Sequence, residues 1–169
     1  MKWSRSELVN APGRSVVFDE EVRIDAKAFG GNSRINGVKD VRVSGRGNLD
    51  LENDSFYVTL AVKGTMLVPD AVTGREIDYD FETDSEEIYT FAESEDEEVR
   101  TAENDVIDLL PAVIDMILLE VPLQVTHAVP EEYPSGDGWR IITEEEYQKS
   151  QEDRIDPRLA KLKDYIEEK

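Results

Sequence analysis

At 169 residues with a formal charge of −20, the chain has room for one ordinary domain and a tail, and a domain of that size buries a sizeable apolar core unaided. It has no cysteine, which excludes disulfides, zinc ribbons, thiol catalysis and iron–sulfur clusters and fits a reducing compartment. No stretch has the length of a signal-peptide core or a membrane span, so a cytoplasmic protein that touches no membrane is expected.

Ser4 and Glu7 have the spacing of a capping box, and Trp3 and Leu8 that of a hydrophobic staple, which predicts a short helix from Arg5 ended by Asn10-Ala11-Pro12-Gly13. Val16, Phe18, Val22 and Ile24 then recur with period two, a strand with Asp19, Glu21 and Arg23 on its other face. Turn signals at Gly30-Gly31-Asn32 and Asn36-Gly37 precede a long strand in which Val41, Val43, Leu49 and Leu51 alternate with Arg42, Ser44, Arg46 and Asn48. Gly45 and Gly47 leave room in it for a bulge or bend. Phe56, Val58, Leu60, Val62, Met66 and Val68 alternate over a similar length after Glu52-Asn53-Asp54, so the two strands pair as an antiparallel hairpin. Ile77, Tyr79 and Phe81, continued by Ile88 to Phe91, supply the next strand material.

Residues 93–104 are too charged to stay inside anything and read as an exposed, mobile loop. Pro111 then suits the first turn of a helix carrying Val113, Ile114, Ile117, Leu118 and Val121, which Pro122 stops. Leu123 and Val125 are material for a last short strand. Beyond about residue 128 the composition turns to linker chemistry, with Trp139 as an anchor, a second capping box at Thr143 and Glu146, and Asp156-Pro157 opening a terminal helix. The stripe Leu159, Leu162 and Ile166 is too thin for a stable isolated helix, so Asp156, Pro157, Arg158, Leu159, Leu162 and Ile166 are candidates for a tail that docks on a partner. The expected architecture is α+β: an antiparallel β-meander of about five to six strands with one apolar helix packed on it and a helical C-terminal tail. The expected division is a core domain over 1–128 and an acidic linker and helical tail over 129–169.

Searches for chemistry end without a site. His127 is the single histidine and has no partners at metal-ligand spacing. The carboxylates single out no acid/base pair, and the nucleophile elbow, phosphate loop, dinucleotide fingerprint and calcium loop are all absent. A non-enzyme without metal or cofactor is therefore expected. Excess acid argues against a simple binder of phosphate backbones, but residues 1–75 hold 11 Lys/Arg against 10 Asp/Glu while residues 76–169 hold 8 against 29. Cations on the near-neutral half, namely Arg42, Arg46, Lys63 and Arg75, are the candidates for touching RNA.

The segment from Asp108 to Pro122, the stretch Gly136-Asp137-Gly138-Trp139 and the terminal Asp156 to Asp164, in that order and after the opening Met1-Lys2-Trp3 and a β-rich middle, resemble the YceD family in its YlbN-like form. The resemblance implies a cytosolic factor needed for accumulation of large-subunit ribosomal RNA, hence a role in ribosome assembly. Expected partners are then that RNA or a pre-ribosomal particle, or a basic ribosomal protein. The alternatives are a protein-only acidic module or chaperone for such a basic protein, and an unrecognised enzyme. Many members of the family carry a Cys-x-x-Cys pair where this chain has Asp70 and Thr73, so metal or thiol chemistry through that pair is not open to it.

Overall fold

Period-two alternation organises the middle of the chain, and a helical period takes over only after residue 109. The computed structural model describes residues 1–92, 96, 99–129 and 132–152. These fall into two units, Met1–Asp70 with Gly74–Val125, and Ala71–Thr73 with Thr126–Lys169; the tail candidates Asp156, Pro157, Arg158, Leu159, Leu162 and Ile166 lie outside the described residues.

The first unit opens with β1 (Lys2–Ser4) and α1 (Arg5–Asn10). The capping box forms: Ser4 Oγ accepts from the Glu7 backbone N–H at 3.3 Å, and the Glu7 carboxylate accepts from the Ser4 N–H at 2.7 Å, so two of the helix's orphan donors or their neighbours are satisfied reciprocally. Four strands follow, β2 (Ser15–Val22), β3 (Gly37–Asp50), β4 (Ser55–Pro69) and β5 (Glu76–Thr90), and β3, β4 and β5 each pair antiparallel with the strand before. The α+β class holds, but the meander is not wholly antiparallel. β6 (Val99–Thr101) runs parallel to β5 at the end of a five-stranded sheet, inside the segment read as a loop. Charge hid it: Arg100 sits between two β-branched residues, and its guanidinium is neutralised by Glu87 of β5 at 2.9 Å and by Asp115 at 2.8 Å.

β7 (Val106–Asp108) returns to pair with β1, and α2 (Leu110–Leu119) follows it. Leu109, Ala112, Val113, Met116 and Ile117 are buried, whereas Ile114 and Leu118 are only partly covered. The core-facing stripe is thus turned by about one residue from the expected one, and the helix lies against β4 and β5. Residues 120–129 form no helix or strand, and Leu123 is exposed, so no strand forms at Leu123 and Val125. Among the described residues no helix is long and apolar enough to cross a membrane.

The core lies on the inner face of the sheet, where Phe18, Val43, Phe56, Val58, Leu60, Val62 and Met66 meet Leu8, Ile107 and the buried stripe of α2. Each large aliphatic side chain so buried contributes roughly 1.5–3 kcal/mol. Gly45 and Gly47 do not mark the bulge. Register runs unbroken from Arg42 to Asn48 on both sides of β3, and the irregularity falls between Lys39 and Arg42, where Asp40 takes φ 54°. The two glycines instead leave space for rings, Phe18 over Gly45 and Phe56 over Gly47.

In the second unit, β8 (Ser135–Gly136) and β9 (Trp139–Arg140) form a minimal hairpin across Asp137-Gly138. α3 (Glu144–Glu152) begins under Thr143, whose Oγ1 accepts from the Glu146 N–H at 3.1 Å, the expected cap. Its first turn is Glu144, Glu145 and Glu146, acid where the helix dipole favours it.

Candidate functional site

The alternation that buries one face of the sheet displays the other. Register aligns the displayed residues in rows across β2, β3, β4 and β5: Val17, Arg46, Thr59 and Glu86; Asp19, Ser44, Ala61 and Asp84; Glu21, Arg42, Lys63 and Glu82. Three of the four cation candidates therefore share a face. Arg42 and Lys63 are direct cross-strand neighbours, and Arg46 lies one row beyond the Ser44 row. Arg75 does not join them. It precedes Glu76, which pairs with Pro69 at the far end of β5, about 20 Å along the strands from the Lys63 row.

Arg42 is already engaged. Its Nε donates to Asp19 Oδ1 at 2.6 Å and its Nη2 to Asp19 Oδ2 at 2.7 Å, the parallel fork in which a guanidinium matches a carboxylate. These hydrogen bonds hold the Asp19 carboxyl below its ordinary range and raise Arg42 further. Glu21 stands on the other flank of Arg42 in β2. Lys39 is taken similarly, its Nζ donating to Asp78 at 2.7 Å, which raises its pKa. Arg46 and Lys63 are exposed and make no ion pair or side-chain hydrogen bond among the described residues. A depression of about 290 Å³ beside Lys63 is lined by Asp19, Arg42, Ser44, Lys63 and Glu82, and Arg46 lies outside it.

The dominant feature of this face was not among the sequence candidates. Glu76, Asp78, Asp80, Glu82, Asp84 and Glu86 occupy every second position of β5, all six exposed on the displayed side. Successive carboxylates stand about 7 Å apart, and the array runs about 34 Å. Three of them accept side-chain hydrogen bonds among the described residues: Glu76 from Asn36 Nδ2 at 2.9 Å, Asp78 from Lys39 Nζ at 2.7 Å and Asp80 from Thr65 Oγ1 at 2.7 Å. The signal was present in the sequence as acid at every even position from 76 to 86. It is masked there by Glu87, whose side chain turns to the other face to hold Arg100.

A second concavity, about 250 Å³, lies between β5, β6 and the start of α2 and is lined by Tyr89, Arg100, Glu103, Asp108 and Pro111. Tyr89 is buried there, its hydroxyl donating to the Asp108 carbonyl at 3.3 Å, and burial pushes its phenol well above the usual range. Among the described residues no three His, Asp or Glu side chains are grouped to hold a metal ion. At the positions matched to the cysteine pair, Asp70 is a turn residue, its N–H donating to the Arg75 carbonyl at 2.8 Å and its carbonyl accepting from the Gly74 N–H at 2.9 Å.

Residues 58–165 match the model of the family described as Large ribosomal RNA subunit accumulation protein YceD. The chain is 34% identical to the uncharacterized protein YlbN of Bacillus subtilis (strain 168), an alignment covering 99% of this chain and 98% of that protein. No solved structure matches the chain.

Proposed function

We propose that this chain, which belongs to the YceD family, serves the accumulation of large-subunit ribosomal RNA as a non-catalytic assembly factor whose displayed sheet face binds a basic ribosomal protein. The reading is carried by the carboxylate array on β5. Six exposed acids in one line, with Asp19 and Glu21 three strands away, share the face with Lys39, Arg42, Arg46 and Lys63, and two of those cations are already spent on Asp78 and Asp19. An RNA strand carries one negative charge per nucleotide and gains affinity by displacing counterions with free Lys and Arg. This face would repel it. A ribosomal protein segment rich in Lys and Arg meets the opposite situation. In an extended chain alternate side chains are spaced about 7 Å apart, the interval of the β5 array, and the field steers such a partner toward it.

The experiment is a pull-down from a lysate with and without nuclease, followed by titration of the recovered large-subunit protein. Recovery of a basic ribosomal protein after nuclease is expected, with at least tenfold weaker binding in the Glu82→Gln/Asp84→Asn/Glu86→Gln variant and a shallower salt dependence. Recovery that vanishes with nuclease, or titration unchanged in that variant, overturns the reading. Arg46 and Lys63 favour a second reading in which RNA phosphates are touched between those two side chains; salt-dependent filter binding of large-subunit RNA fragments lost in Arg46→Ala/Lys63→Ala would carry it.

A further inference from the structure

In the second unit Trp139 stands directly opposite Gly136 in the two-strand hairpin, and Gly138 makes the turn with φ 80°. A Cβ on Gly136 would lie 2.5 Å from the indole Nε1, 2.7 Å from Cε2 and 3.0 Å from Cζ2. The indole therefore rests on the bare α-carbon of Gly136. Gly136 has no positive φ to explain its being glycine; the ring above it is the reason. Yet 56% of Trp139 remains exposed. A large aromatic side chain that is seated on backbone and left uncovered has given up its rotamer freedom in advance, which favours binding, and such Trp residues are the usual anchors of interfaces.

We infer that Trp139 is a docking anchor for a Lys or Arg side chain of a basic partner protein. Indole is the best of the aromatic acceptors for a cation held over its face. Its surroundings in the chain select for that cation: residues 126–152 contain Arg140 and Lys149 as the only Lys/Arg, against seven Asp/Glu that include Asp137 in the hairpin turn and Glu144, Glu145 and Glu146 at the start of α3. A nucleic-acid base can also stack on an indole, but its phosphates would meet this excess of acid with few cations to offset it. The inference rests on the proposed reading that the partner is basic, and it adds a second point of attachment to the sheet face.

The test uses the full chain carrying Trp3→Phe, so that Trp139 is the only indole emitting. It is titrated with an arginine-rich dodecapeptide, with a Ser/Ala peptide of equal length and with a 20-nucleotide single-stranded RNA. Saturable change in Trp139 emission with the arginine-rich peptide alone is expected. Affinity measured by calorimetry should fall about threefold to thirtyfold in Trp139→Leu, the range of a cation–π contact, and similarly in Gly136→Ala, which keeps the indole but unseats it. An equal response to the neutral peptide, or a response to the RNA and not to the basic peptide, overturns the inference, and it does so even if Trp139→Leu proves poorly folded. Affinity lost in the Glu82→Gln/Asp84→Asn/Glu86→Gln variant but kept in Trp139→Leu and Gly136→Ala overturns the anchor and leaves the sheet-face reading standing. The reverse pattern supports the anchor and removes the sheet face.

Discussion

The ring of Phe56 occupies the place in which Gly47 would carry a Cβ. The two residues are diagonal neighbours on the β3–β4 ladder, since Gly47 pairs with Val58 and Leu49 with Phe56. An aromatic ring laid across a strand glycine covers the exposed backbone and pins the register. Arg46, on the opposite face between Gly45 and Gly47, is aimed outward by this arrangement. Gly47→Ala forces the fully buried Phe56 from its seat, and the cost expected for overpacking at such a site is about 2–3 kcal/mol. Urea denaturation would show it as a lower midpoint at unchanged slope.

Removing Arg42 tests the fork directly. In Arg42→Ala the Asp19 carboxyl should rise toward its ordinary value, because the hydrogen bonds that hold it down are gone. A folded-state pKa that is depressed stabilises above the unfolded value and loses that contribution as pH falls through the folded one. The wild-type protein should therefore lose stability on acidification in a step that the variant lacks. Carboxyl carbon NMR shifts of Asp19 followed from pH 7 to pH 2 would measure both. If the shifts coincide in the two proteins, the fork does not form in solution.

Tyr89 gives the opposite sign. Its phenol is raised by burial, so the unfolded chain releases that proton at lower pH than the native protein. The stability is complete below the ordinary phenol value of 10.0 and declines as pH rises above it. Ultraviolet titration should show one of the six tyrosines ionising late and together with unfolding. Tyr89→Phe should remove that coupling while losing only the bond to the Asp108 carbonyl.

Ser4→Ala removes the acceptor for the Glu7 N–H and should destabilise the first unit by about 1 kcal/mol. The Ser4 backbone N–H and hydroxyl also hold the Glu7 carboxyl below its ordinary value of 4.5. That contribution is present above this value and fades as pH falls below it. The bond from the Glu7 N–H does not titrate and the bond from the residue 4 N–H survives in the variant, so thermal melts of the two proteins should differ at pH 3 and differ more at pH 7, where the hydroxyl's bond to the Glu7 carboxylate is also lost.

Asp84 stands between Glu82 and Glu86 with Ala61 as its cross-strand neighbour, so it meets like charge along the strand. Asp84→Asn should leave stability unchanged or raise it by no more than about 0.5 kcal/mol, and the gain should shrink as salt screens the array. Melting curves at low and high ionic strength would check it. A clear loss would mean that the array is held together by partners within the protein.

Where local signals and burial agreed, the fold could be read from residue order alone. Phe56, Val58, Leu60, Val62, Met66 and Val68 alternate because every second side chain of β4 enters the core. The capping box at Ser4 and the side-chain cap at Thr143 were legible because they are satisfied within one turn. What escaped depended on distant residues. Val99–Thr101 is a strand only because β5 offers an open edge and Glu87 and Asp115 accept Arg100, and the orientation of α2 follows from what it packs against. The same division runs through the candidate site. Shared facing of Arg42, Arg46 and Lys63 follows from alternation, but the capture of Arg42 needed Asp19 to arrive on β2, 23 residues earlier. Arg75 was separated from them by the length of β5, which propensity does not set.

The pairing of Lys2 with Asp108 sets an order of events for the nascent chain. β1 has no partner until some hundred further residues have left the ribosome, which takes roughly 5–20 s at ordinary synthesis rates. The hairpins of β2 to β5 need only their neighbours and can form meanwhile. Closure of the first unit is therefore the arrival of β7, and a polypeptide cut short before residue 106 would present its opening strand unpaired.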